Sequence, residues 1–366
     1  MSVTRRDLIV GVAAAALGPR WRQDRRAGRL VVDGLETSTV TDEFLALVRR
    51  GGADCVHKTL YQEDSFRAFH EFAATRADRM TVATTVAQIR TAQARGQLAF
   101  VLGVQAASGP YGNGLGEAMA QVPLGSLKAL RPALERFHGL GLRIQGLCYN
   151  TSDVFGSGCF DPDGPLSRAG RRLVEEIHRL RILLDVGGHS GERTSRDAIA
   201  LSAGVPVVCS HTNFAAINPN RRCISDRLAV EIARTGGLIG LTAVSDFLVR
   251  NPGNAATHGP RSPQARLAVL LDHFDHGKRL VGADHLALGP DFLWGQPPFH
   301  VDPTDAVTFS PDELSEGPVR LVAGFEHIGQ LPALVTGLRE RGWSEPDLDR
   351  VLGHNWLRVF ERAWGG

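Results

Sequence analysis

The sequence predicts a (β/α)8 barrel, and three observations carry that expectation. Short apolar runs alternate with amphipathic segments from about residue 28 onward, and the apolar runs are nearly unbroken, as strands covered on both faces require. Eight such units fit into roughly 265 residues, the size of a TIM-type barrel. A doubly wound open sheet is the competing architecture, but no GxGxxG follows the first apolar run, so its dinucleotide-binding version has no support.

Taken in order, the strand candidates are 30–34 (LVVDG), 54–60 (DCVHKTL), 98–105 (LAFVLGVQ), 143–150 (RIQGLCYN), 182–188 (ILLDVGG), 205–211 (VPVVCSH), 237–244 (GLIGLTAV) and 285–292 (HLALGPDF). Helical stretches lie between them at 41–50, 65–78, 85–95, 124–138, 166–180, 194–203, 225–235 and 264–274. The 166–180 segment shows the logic: Leu166, Leu173, Ile177 and Leu180 recur at helical spacing, with Arg171, Arg172, Glu175 and Glu176 between them. Residues 251–263 and 293–318, rich in proline and glycine or without periodicity, read as long loops over one face. Residues 29–366 therefore read as one barrel domain.

The amino terminus differs. Arg5 and Arg6 directly precede an apolar run from Leu8 to Leu17, too short to span a bilayer as a helix, which needs about 20 residues. Residues 1–28 are expected to be a twin-arginine-type export signal, which would make the protein periplasmic or otherwise extracytoplasmic; a cytoplasmic chain with a tail or short buried helix is the alternative. The net charge of +2 offers no basic field for nucleic acid. The five cysteines show no CxxC spacing; Cys55, Cys148 and Cys209 lie in apolar runs as buried free thiols, and Cys159 sits in a glycine-rich loop where a thiol can face a ligand.

Strand carboxyl ends form the working mouth of such a barrel. His189 and His211 end the fifth and sixth of the eight strands counted above, and Asp291 ends the eighth. Gly187 and Gly188 let the chain turn sharply out of its strand, and the polar run SGERTS (190–195) is expected to cap the next helix. Two neutral imidazoles and a carboxylate suit a zinc ion and could lower the pKa of its bound water to about 7. The structural alternative has His189 capping a helix, His211 packing under a loop and Asp291 balancing an arginine. Spacing alone leaves both open.

Several segments resemble the membrane (renal) dipeptidase family of zinc peptidases: the run from GPLSRAGRRL through LLDVGGHSGERTS, then PVVCSHTN, NPNRRCISD, LALGPDF and the closing LGHNWLRVF. With the barrel pattern they cover nearly all of 29–362. The resemblance implies a distorted barrel of the metallo-dependent hydrolase type. It puts His189 and His211 on two metal-ligand histidines, with Gly188 competing with His189 for the alignment. It puts Asp291 on the active-site aspartate and Arg222 on the arginine that binds the substrate carboxylate.

The departures are as informative. Leu35 and Thr37 stand where the family has a His-x-Asp metal pair, Gln105 replaces a bridging glutamate, and Tyr149 replaces an active-site histidine. An ordinary two-zinc cluster is therefore not expected; these losses resemble a divergent bacterial branch of the family. The first expectation is a hydrolase of dipeptides or related small amides with one zinc on His189 and His211, and Asp291 or Gln105 as third partner. Asp291 would relay the proton, Arg222 would pair with the substrate carboxylate, and Tyr149 would donate to the developing oxyanion. Asp33, Glu36, His57 and Asp161 are unplaced replacements. Arg222, Tyr149 and Gln105 are the expected substrate-binding residues; the second expectation is a catalytically inactive barrel that binds a small carboxylated ligand. A metal-free enzyme using Cys159 ranks last. A homodimer is implied by the resemblance alone, and His138, His178, His273, His276 and His354 are assigned to surface or packing.

Overall fold

The computed structural model describes residues 29–109, 111–121, 127–250, 259–260, 263–295, 315–316 and 319–365. The export signal expected at 1–28 and most of the two long loops lie outside the described residues.

All eight expected strands form. In the main sheet they are β1 (Val32–Glu36), β2 (Cys55–Thr59), β4 (Leu98–Val104), β5 (Leu142–Gly146), β6 (Leu183–Asp185), β7 (Val207–Thr212), β8 (Leu238–Leu241) and β9 (Leu286–Leu288). They pair in that order, each parallel to the next. Three strands were not foreseen: β3 (Met80–Val82) pairs with β4 outside the barrel path, and the two-residue segments Gly259–Pro260 and Ser315–Glu316, in the expected long loops, pair with each other. Segments that short carry too little alternation to signal a strand.

The eight expected helices are α1 (Asp42–Gly51), α2 (Glu63–Ala74), α3 (Val86–Ala94), α5 (Leu130–Gly139), α6 (Arg168–Arg179), α7 (Glu192–Leu201), α8 (Asp226–Arg234) and α9 (Leu267–Val281). A short α4 (Leu115–Ala120) and carboxyl-terminal helices α10 (Leu331–Glu340), α11 (Glu345–Asp349) and α12 (Asn355–Trp364) complete the described set. Helix starts follow local chemistry: the side chains of Thr41, Thr85, Ser167 and Ser225 accept the orphan backbone N–H groups of α1, α3, α6 and α8. The expected cap of α7 is corrected. Gly191 is at its N-cap with no side-chain bond, and Asp163 from a neighbouring loop accepts from Arg193 N at 2.8 Å instead.

The barrel closes between β1 and β9 in two ways. At the mouth, Asp291 N donates to Leu35 O (3.1 Å) and Thr37 N to Phe292 O (3.3 Å). Lower down, the Trp356 indole of α12 fills the seam and donates Nε1–H to Leu288 O at 2.9 Å. A side chain at Gly34 would collide with it, a Cβ there lying 2.3 Å from Trp356 Cζ2. Beneath the mouth the interior is apolar: Val32, Cys55, Ala99, Val101, Ile144, Leu183, Val208, Leu238 and Ala287 share one buried cluster with Trp356, Phe360 and Trp364. A dry floor and a rigid wall of parallel strands fix the polar residues at the strand ends above it.

Candidate functional site

The two histidines expected at strand ends meet at the barrel mouth. His189 and His211 are both buried, and their Nε2 atoms lie 2.9 Å apart. Each ring is held from behind. Asn150 Oδ1 lies 2.7 Å from His189 Nδ1, and Ser210 Oγ lies 2.8 Å from His211 Nδ1. Arg222 Nη2, 3.2 Å from His189 Nε2, can only donate, so Nε2 is assigned as the acceptor and the ring proton to Nδ1, facing Asn150 Oδ1; the Gln105 amide oxygen near the same Nε2 then makes no hydrogen bond there. Burial, then the charge of Arg222, hold both imidazoles well below the usual histidine range, so both are neutral.

Arg222 reaches this pair. Its Nη2 is 3.2 Å from His189 Nε2, its guanidinium carbon lies 4.9 Å from the centre of the Phe247 ring, and its Nη1 is buried with no hydrogen-bond partner among the described residues. The backbone on either side is tied down: Arg222 N donates to Asn220 Oδ1 (2.8 Å), and Thr212 Oγ1 donates to Arg222 O (2.9 Å). Gly188 makes the approach feasible. It has φ +45°, and a Cβ on it would lie 2.2 Å from Arg222 Nη1. The competition between Gly188 and His189 is thereby resolved: the glycine leaves room for the arginine, and His189 enters the site. The alternative partner, Asp226, is 2.8 Å from His276 instead.

Tyr149 stacks on His189 with ring centroids 3.9 Å apart, and Tyr111 stacks on Tyr149 at 4.5 Å, with Tyr61 edge-on to Tyr111 at 5.7 Å. All three tyrosines of the chain thus form one wall. Burial keeps the Tyr149 phenol protonated, raised well above its ordinary range. Gln105 Oε1 lies 2.9 Å from His189 Nε2. Asp291 adopts φ +60° and Asn150 φ +61°, so two of the three non-glycine residues at positive φ among the described residues stand at the mouth, in a conformation Asn and Asp tolerate best. Burial pushes Asp291 up to about 6 against the pull of Arg222.

The first strand end holds charge of a different kind. Lys58, itself buried, donates to Thr37 O (2.8 Å) and Ser38 O (2.7 Å), pinning the segment where Leu35 and Thr37 stand. Burial brings its ammonium down to about 8. Asp33 and Glu36 are fully buried beside it. Burial, then repulsion from Glu36, raise Asp33, and burial brings Glu36 to about 7. His57 donates Nδ1–H to Gly34 O at 2.7 Å and is neutral, as burial takes it to about 4. Asp161 and Cys159 line a cavity of about 260 Å³ together with Gly188, Cys223 and Arg221.

The zinc that the resemblance implies needs three or more donors around one point. His189 and His211 converge as expected, but Asp291 does not join them: among the described residues no group of three or more His, Cys, Asp or Glu is arranged to hold a metal ion. The nearest oxygen, on Gln105, is an uncharged amide. Asp185, below the pair, accepts from Gly187 N (2.8 Å) and Ser210 N (2.9 Å), both backbone donors. A zinc ion about 2.1 Å from His189 Nε2 would lie at most about 5 Å from the Arg222 nitrogen, a repulsion of roughly 6 kcal/mol at an effective dielectric near 20. Neutral ligands do not offset it. Among the described residues the donor set fits neither two zinc ions nor one.

Asn150, Ser210, Lys58, Phe247, Tyr61 and Tyr111 were missed by sequence reasoning. Asn150 alone had a local signal, as the polar residue following Tyr149 at a strand end; the others are recognisable only through distant partners.

A family model described as membrane dipeptidase, peptidase family M19, matches residues 23–364. An uncharacterized protein in the pqqA 5' region of Klebsiella pneumoniae is 32% identical over 238 residues, covering 63% of this chain and 76% of that protein. Dipeptidase ataJ of Aspergillus terreus is 27% identical over 332 residues, 85% of this chain and 68% of that one. Among solved structures, a metallopeptidase from Rhodobacter sphaeroides bearing a phosphinate mimic of the dipeptide L-Ala-D-Ala superposes with a TM-score of 0.69 at 24% identity, over 92% of this chain and 99% of that one.

Proposed function

Because the chain belongs to the membrane dipeptidase family, peptidase family M19, we propose that its barrel mouth binds a small carboxylated ligand of the dipeptide class and does so as a receptor, without zinc-dependent hydrolysis. One observation carries this reading: the Arg222 guanidinium is buried, beside neutral imidazoles, with Nη1 unpartnered. A buried guanidinium N–H left without an acceptor is costly, and a ligand carboxylate relieves that cost through charge-assisted hydrogen bonds worth about 1.5–3 kcal/mol each. Asp291, ionised above about pH 6, supplies the opposite charge for a ligand ammonium group. Tyr149, kept protonated by burial, is a donor for the ligand's amide oxygen.

The dipeptide mimic in the Rhodobacter sphaeroides protein supports the size and class of ligand. The substitutions Leu35, Thr37 and Gln105 support a site that has left metal hydrolysis behind. Residues 1–28, read as an export signal, would put this receptor outside the cytoplasm, which cell fractionation tests.

Titration calorimetry with Ala-Ala stereoisomers, their C-terminal amides and their N-acetyl forms tests the binding. The free dipeptide should bind, and the amide should lose most of the affinity. Chromatography of the same mixtures, with and without added zinc, should show the dipeptide intact. Zinc-dependent cleavage at enzymatic turnover, or equal binding of the amide, would overturn the proposal.

A further inference from the structure

We propose that Arg222 is the resident cation of this site: its guanidinium takes the place beside His189 and His211 that a metal ion would need, and so keeps metals out. This goes beyond ligand recognition and stands whether or not a dipeptide proves to be the ligand. The argument rests on how the arginine is built in. A long side chain at a surface could swing away from an incoming ion, but Arg222 is 2% exposed.

Its peptide is fixed at both ends, by Asn220 Oδ1 accepting from its N–H and by Thr212 Oγ1 donating to its carbonyl. Its guanidinium lies against the Phe247 ring. Its path runs past the bare Cα of Gly188, whose left-handed backbone admits no Cβ without collision at 2.2 Å. The Nη2 group then meets the same Nε2 lone pair of His189 that a metal would have to use, at 3.2 Å.

A lone pair that accepts an N–H cannot also coordinate. The two imidazoles are otherwise well arranged as ligands, being buried, neutral and held through Nδ1. What separates this pair from a metal site is the charge beside it, together with the want of an anionic third ligand among the described residues. The histidine pair therefore serves the arginine: His189 Nε2 accepts from the guanidinium and orients it, leaving Nη1 as the free donor for an oxyanion.

The experiment is zinc binding to the full-length, chelator-treated protein, followed by calorimetry and by metal analysis after dialysis. Wild type should retain far less than one zinc per chain. Arg222→Met should bind close to one zinc per chain, at least about a hundredfold more tightly than wild type, and should lose it again when His189→Ala is added. Arg222→Lys, which keeps the charge, should resemble wild type and guards against a folding defect in the methionine variant. In parallel, acetate should raise the melting temperature of wild type, with or without chelator, and not that of Arg222→Met. Stoichiometric zinc in wild type that His189→Ala removes would overturn the inference. So would Arg222→Met, folded by circular dichroism, binding zinc no better than wild type. Failure of dipeptides to bind would leave these metal measurements untouched.

Discussion

Gly188→Ala tests the link between one backbone conformation and the charge of the site. At φ +45° an alanine costs about 1–2 kcal/mol of stability from its own Cβ. The new methyl would lie 2.2 Å from Arg222 Nη1 and 2.7 Å from Arg222 O, where carbon contacts normally sit near 3.5 Å. The carbonyl is held by Thr212, so the guanidinium must retreat by more than about 1 Å. A displacement of that size removes a charge-assisted hydrogen bond to a bound carboxylate, about 1.5–3 kcal/mol, and weakens binding roughly ten- to hundredfold. Urea unfolding reads the first effect, and calorimetry with Ala-Ala or acetate reads the second. A variant that binds within twofold of wild type refutes the role given to Gly188, even if its stability falls. A variant unchanged in both measurements refutes the geometry itself.

Two further outcomes follow from the fold. Trp356→Ala should lower stability by about 3–5 kcal/mol, because it removes a fully buried ring from the β1–β9 seam together with its bond to Leu288 O; a loss below about 1 kcal/mol in denaturant unfolding would mean the seam is closed by other contacts. His273 is buried, accepts from Phe214 N at 3.1 Å, and is brought by burial to about 3. The unfolded chain takes up that proton below about pH 6.5 and the folded chain does not, so stability is fully present above pH 6.5 and falls toward pH 3, by up to about 1.4 kcal/mol per pH unit from this group. His273→Gln should flatten that component of a stability–pH curve; an unchanged slope contradicts the assignment.

The barrel was legible because its signals are local. Leu98–Val104 is apolar throughout and Val207–Thr212 begins on an apolar run, both buried along their whole length, and α6 places Leu173 and Ile177 at helical spacing. The three-residue β3 and the six-residue α4 were not legible, since neither is long enough to establish a period. The site was half legible. That His189, His211 and Arg222 belong together was readable from strand ends and from resemblance. The absence of Asp291 from a metal cluster with the histidines was not, because it depends on where the left-handed turn at Asp291 points its carboxylate. The capping of α7 by Asp163, 30 residues before Arg193, was unreadable for the same reason.

By itself the sequence determined the order of elements, the apolar floor of the barrel and which side chains arrive at its mouth, for these follow from hydrophobic period and from the rule that strand ends share one rim. Only the tertiary structure decided what the mouth can hold. The sign of the charge there depends on a few ångströms between Arg222 and His189, set by a gap at Gly188, an anchor at Thr212 and a ring at Phe247. Those residues lie far apart in the chain or point in directions that spacing does not encode. Electrostatic interaction falls off with distance in three dimensions, so no reading along one dimension could have supplied it.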